Sequence, residues 1–161
     1  MPLDLDNVSL GICGAIFALI IPAIGSTFSM MGIASTAIGA WKRNYLQGKP
    51  ASFMLVAFVG VPLSNTIYGM ILMFQLIGKA TLGMPWPVLW FIGLVAGVGI
   101  GLAAWLQGKS AAVGADAVGE TNKGFVNAMV AIGCLEVLAI FIMVFSMIVL
   151  NAIPLPATPQ M

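Results

Sequence analysis

Ala131-Ile-Gly-Cys-Leu-Glu136-Val-Leu-Ala-Ile-Phe-Ile-Met-Val-Phe145 is an apolar run with one carboxylate inside it. The preceding charge is Lys123, and no charged residue follows Glu136. On a helix rising 1.5 Å per residue, Lys123 stands about 20 Å away, and Asn151, where the run ends, is about as far in the other direction. Glu136 is therefore read at the middle of a bilayer. A charge at that depth costs about 3 kcal/mol or more, so it persists for a reason. The reason is either an interhelical hydrogen bond or, as ionisable groups at this depth usually indicate, an ion or proton site.

The surrounding composition supports a membrane setting. The chain has 161 residues, 61% hydrophobic and 7% charged, against about 25% charged in soluble domains. Mean hydropathy is +1.10. The apolar runs are long and do not alternate, so helices rather than a barrel cross the bilayer. The length fits four spans and leaves no room for a soluble catalytic domain. A net charge of +1 gives no electrostatic case for nucleic acid. Histidine is absent, which removes the commonest proton shuttle and metal ligand. Cys13 and Cys134 fall inside apolar runs and read as small core residues, not a disulfide. Asp4 and Asp6 stand near the N-terminus without a base. That is not the basic start of a signal peptide, so the first span is expected to be retained.

The first span covers about 8–41. Gly11, Ala18, Gly25, Gly32 and Gly39 recur every seven residues, and this predicts a strip of small side chains along one face. Pro22 predicts a kink. Lys42, Arg43, Gly48, Lys49 and Pro50 make a basic turn. The second span covers about 51–77, with a polar middle, Val61-Pro62-Leu63-Ser64-Asn65-Thr66-Ile67-Tyr68. Pro62 deprives the Phe58 carbonyl of its helical donor. Asn65 stands 16 residues after Lys49 and 14 before Lys79, again near the midplane. Ser64 and Tyr68 share a face. A loop over 79–87 returns the chain, with Trp86 and Trp90 suited to an interface.

The third span covers about 87–119. It carries Gly93, Gly97 and Gly101 at four-residue steps, and Gly101, Gly108 and Ala115 at seven. Gln107 sits near its middle. Lys109, Asp116 and Glu120 lie toward its end, with Lys109 read as a surface or snorkelling charge. After a polar turn at 119–124, the fourth span covers about 125–153, and the proline-rich tail from Pro154 ends it. The basic residues favour the turns 42–50 and 119–124 on the cytoplasmic side of the cell membrane, with both termini outside. The halves 1–80 and 81–161 read as tandem hairpins. A shift of 73 residues sets Leu63 opposite Glu136, so only the second hairpin has the carboxylate.

Taken together, the blocks Val-Pro-Leu-Ser-Asn-Thr-Ile-Tyr-Gly (61–69) and Leu-Gln-Gly-Lys-Ser-Ala-Ala (106–112), with Glu136, resemble the proteolipid, or rotor-ring, subunit of V-type and A-type rotary ATPases. The resemblance is to the duplicated four-helix form and covers the whole chain. It implies a homo-oligomeric membrane ring with the first helix of each hairpin on the inner circle. It also implies a non-catalytic subunit whose ion movement is coupled to ATP hydrolysis or synthesis elsewhere. Its partners would be membrane lipid, central-stalk subunits meeting the turns 42–50 and 119–124, and a stator subunit whose basic residue releases the ion.

The same resemblance implies a Na⁺ site, or less favourably an H⁺ site, with no cofactor. Glu136 would be the ion-binding carboxylate and Gln107, Ser64 and Asn65 oxygen ligands. Val61 would supply a backbone oxygen, and Tyr68 would hydrogen-bond Glu136. The sodium form reads Pro-Gly-Thr-Gln-Gly where this chain has Pro62-Leu63-Ser64-Asn65-Thr66. The donor type is kept, but Asn65 is one methylene shorter. The other readings are a small four-helix secondary transporter that uses Glu136 to exchange protons for a cationic substrate, and a non-transporting membrane packing protein.

Overall fold

The computed structural model describes residues 6–155. Asp4, and the proline-rich tail from 156 onward, lie outside the described residues. Four helical spans are long and apolar enough to cross a membrane, and all secondary structure among the described residues is helical. The first span is built of α1 (Asn7–Ala15) and α2 (Phe17–Leu46), and the second of α3 (Leu55–Gly60) and α4 (Leu63–Thr81). The third is α5 (Trp86–Thr121) and the fourth α6 (Phe125–Ala152).

Local chemistry sets the ends. The Asp6 carboxylate accepts from the Ser9 amide at 2.8 Å and caps α1. These hydrogen bonds hold the Asp6 carboxyl below its usual range. The turn at 82–85 closes with Gly83 at φ +84°. Asn7 then ties that turn to the start of the chain, donating to the Met84 carbonyl at 3.0 Å and accepting from the Trp86 amide at 2.9 Å. At the opposite end Asn122 and Gly124, both at positive φ, reverse the chain between α5 and α6. There Arg43 pairs with Asp116 at 2.6 Å and with Glu120, so the 42–50 and 119–124 turns lie at one end of the bundle.

The two longest spans, α2 and α5, pack on each other through glycine. A side chain added at Gly25 would strike the Gly101 carbonyl, and one added at Gly97 would strike that of Phe17. Only hydrogen fits at these crossings. The second and fourth spans lie against this pair and touch each other. Two apolar clusters result. One gathers Ala15, Leu72, Leu76, Leu89 and Leu150, and the other gathers Ile33, Leu55, Phe58, Ala111 and Ile132.

The structure differs from the sequence reading in four places. The small-residue strip of the first span does not hold to its end. Gly11, Ala18 and Gly25 are buried in the chain, whereas Gly32 and Gly39 meet no other part of it. A seven-residue repeat slips about 20° per step on a 3.6-residue helix, so Ile33, Ala37 and Ala40 take over the buried line. The strip of the third span, Gly101, Gly108 and Ala115, stays buried throughout. The first span breaks at Ile16, and α2 runs through Pro22. The second span starts and ends later than expected, because residues 51–54 turn beneath Trp41, whose indole N–H donates to the Ser52 carbonyl at 2.9 Å. Cys13 and Cys134 are exposed and free. On a face suited to lipid, an apolar thiol needs no core to shelter it.

Candidate ion site

Between the two apolar clusters lies a polar layer. Asn65 and Gln107 are its buried carboxamides, and the buried Ser26 hydroxyl backs it from the first span. Pro62 creates the irregular backbone that part of this layer uses. Without an N–H it interrupts the helical hydrogen bonding between α3 and α4, although Val61 and Pro62 keep right-handed helical dihedrals. The Phe58 carbonyl, which loses its usual donor, accepts the Val61 amide at 3.3 Å instead. The Val61 carbonyl then accepts the Ser64 hydroxyl at 2.9 Å.

Asn65 and Gln107 form the centre of the layer, each about 1% exposed. Asn65 Nδ2 donates to Gln107 Oε1 at 2.7 Å, joining α4 to α5. Gln107 Nε2 reaches the Ile132 carbonyl of α6 at 3.5 Å. Asn65 Oδ1 is buried with no hydrogen-bond partner. An acceptor left in that state costs about 1–3 kcal/mol.

Glu136 lies one turn beyond Ile132 on α6 and is half-buried. The Tyr68 hydroxyl donates to Glu136 Oε1 at 2.6 Å, joining α4 to α6. This is a short O–H···O hydrogen bond. The six residues singled out in the sequence thus fall into three hydrogen-bonded pairs: Tyr68 with Glu136, Ser64 with the Val61 carbonyl, and Asn65 of α4 with Gln107 of α5. Among the described residues no hydrogen bond joins Glu136 to Gln107, Asn65 or Ser64.

The donor set is all oxygen with one negative charge. Oxygen donors of this kind suit a hard cation or a carboxyl proton better than a soft, thiolate-seeking metal. Among the described residues no group of three His, Cys, Asp or Glu side chains could hold a metal ion. Sequence reasoning missed the support behind the site. Ser26 donates to the Pro62 carbonyl at 2.7 Å, and Thr66 donates to Ser26 Oγ at 3.0 Å. The one signal for it was the cluster of hydroxyls Ser26, Thr27 and Ser29 near the middle of the first span. The Arg43 pairs were also missed. Lys109 lies over the exposed Trp105 ring at 4.1 Å, as a surface charge should.

Residues 90–149 match the family model of the ATP synthase C subunit. The matched segment contains Gln107 and Glu136 and lies in the second hairpin. Members of that family are non-catalytic, ion-translocating proteolipids that assemble into membrane rings. A comparison with curated proteins gives no match.

Proposed function

We propose that this chain is the rotor-ring subunit of a V-type or A-type rotary ATPase and holds Na⁺ on Glu136. The observation that carries the proposal is the polar layer. One mid-span carboxylate held by Tyr68 lies beside a buried carboxamide pair with a spare acceptor. In this reading Glu136 supplies the charge that neutralises the ion in a low dielectric. Gln107, Asn65 and Ser64 replace its water with side-chain oxygens, Val61 adds its carbonyl, and Tyr68 orients the carboxylate. The match over 90–149 supports the rotor part of the proposal. The two tandem hairpins support a duplicated subunit with one ion site per chain. The basic turns 42–50 and 119–124 would face the cytoplasm and meet the central stalk, and both termini would lie outside. A basic residue of a stator subunit would draw the ion from Glu136.

The H⁺ alternative uses the same carboxylate, but it has little use for so many neutral oxygens. The test is labelling with a hydrophobic carbodiimide, which modifies protonated carboxyls in apolar surroundings. Glu136 should take the label, and Asp116 and Glu120 should take far less. At about pH 6, millimolar Na⁺ should suppress the reaction, because a bound cation excludes the proton that the reagent needs. Labelling of Glu136 that ignores Na⁺ would assign the ring to protons. Labelling chiefly at Asp116 would remove Glu136 from the site altogether.

A further inference from the structure

The oxygens proposed as ligands on the second span share one weak point. Val61, Ser64 and Asn65 stand on the turn that Pro62 interrupts, where helical hydrogen bonding is incomplete. No side chain caps the start of α4 there. Something outside the second span has to fix this turn in place. Ser26 of α2 meets that need. It is about 2% exposed and donates its hydroxyl to the Pro62 carbonyl at 2.7 Å. The same carbonyl accepts the Asn65 amide at 3.3 Å and lies 3.5 Å from Asn65 Nδ2. The Ser26 hydroxyl is oriented in turn by Thr66, one residue past Asn65, at 3.0 Å. Ser26, oriented by Thr66 of α4, thus clamps the interrupted turn from the first span.

We infer that Ser26 and Thr66 are positioning residues for the ion site, acting through the Pro62 carbonyl on the placement of Val61, Ser64 and Asn65. The inference rests on the reading of that turn as part of the ion site. Cation coordination demands fixed oxygen distances, so a turn free to drift weakens all three ligands at once. Ser29 is the natural control. It too is buried on α2, and its hydroxyl also reaches across to a foreign carbonyl, that of Ala104 on α5 at 2.7 Å. It makes no hydrogen bond to the interrupted turn. A loss of stability alone would follow from either serine, whereas a loss of ion affinity should follow from Ser26 only.

The experiment measures the Na⁺ concentration that half-protects Glu136 from carbodiimide in the detergent-extracted full-length protein. Ser26→Ala should raise that concentration roughly fivefold, the worth of one buried hydrogen bond. Thr66→Val should raise it about twofold, since Ser26 keeps its donor but loses its orienting partner. Ser29→Ala should leave it unchanged. An unchanged value in Ser26→Ala, or an equal rise in Ser29→Ala, overturns the inference. If Ser26→Ala does not assemble, Thr66→Val decides alone, and an unchanged value overturns the inference. If the unsubstituted protein itself ignores Na⁺, the sodium reading fails separately. The clamp is then scored on the pH profile of labelling, which Ser26→Ala must shift and Ser29→Ala must not.

Discussion

At the scale of single residues, the Tyr68–Glu136 bond has the most direct consequences. Glu136→Gln keeps the shape and a hydrogen-bonding partner for Tyr68, but removes the charge that alternates between bound and released ion. Cation-dependent labelling and ion-coupled ATPase activity should vanish while the protein still assembles. Reconstituted vesicles check this, and full transport by the variant would refute the role given to Glu136. Tyr68→Phe should weaken Na⁺ protection of Glu136 by about tenfold to a hundredfold, because a hydrogen bond to a charged group is worth about 1.5–3 kcal/mol. Much at this scale was legible in the sequence. A lone Glu in an apolar run and a polar knot after Pro62 are both conspicuous against lipid-compatible neighbours. The Ser26 clamp was not legible, because a serine in a membrane helix usually bonds its own preceding turn. Thr27, Ser35 and Thr36 do so here, each to the carbonyl four residues back. Only the three-dimensional path shows that Ser26 donates elsewhere.

At the scale of elements, the glycines divide into two kinds with opposite expected effects. Gly25 of α2 sits against the Gly101 carbonyl of α5, and that backbone cannot move aside as a side chain would. Gly25→Ala should cost about 1–3 kcal/mol through overpacking, seen as a lower unfolding temperature of the extracted protein. Gly32 has nothing within 4 Å in its own chain. Gly32→Ala should leave the fold of a single chain intact, with a gain of about 0.5–1 kcal/mol from helix propensity. If it instead abolishes assembly with the single chain still folded, Gly32 marks a surface between copies. The sequence showed both glycines in one repeat. It could not separate them, because the separation comes from the angular slip of a straight helix and not from residue type. The break at Ile16 was equally hidden, since Ile carries no breaking chemistry and Pro22 drew the expectation to itself.

For the whole molecule, the hairpin order was readable from four apolar runs and three polar turns, and the described residues follow it within a few positions at each end. Composition alone dictated the membrane setting. The packing of α2 on α5 was not read from the sequence; the resemblance implied only that the first helix of each hairpin lies on the inner circle. A complex of many copies should follow from the proposed function. The protein extracted in mild detergent should run as one large, stable species whose mass is many times 16.8 kDa. Light scattering measures this, and a dimer would favour the secondary-transporter reading. The ion pairs of Arg43 with Asp116 and Glu120 are exposed, so removing them should cost little, about 0–1 kcal/mol.

The unequal continuity of the spans has a mechanical consequence. α5 is an unbroken rod over 36 residues, locked to α2 by backbone contact, whereas the second span carries its discontinuity at the height of the polar layer. Flexural stiffness is therefore high along the central pair and low at Val61–Pro62. A load applied across the molecule would be borne by the rod, while the strain collected at that one compliant joint, beside the oxygens offered to the ion. Amide exchange should report this difference as faster opening over 60–66 than over 98–111.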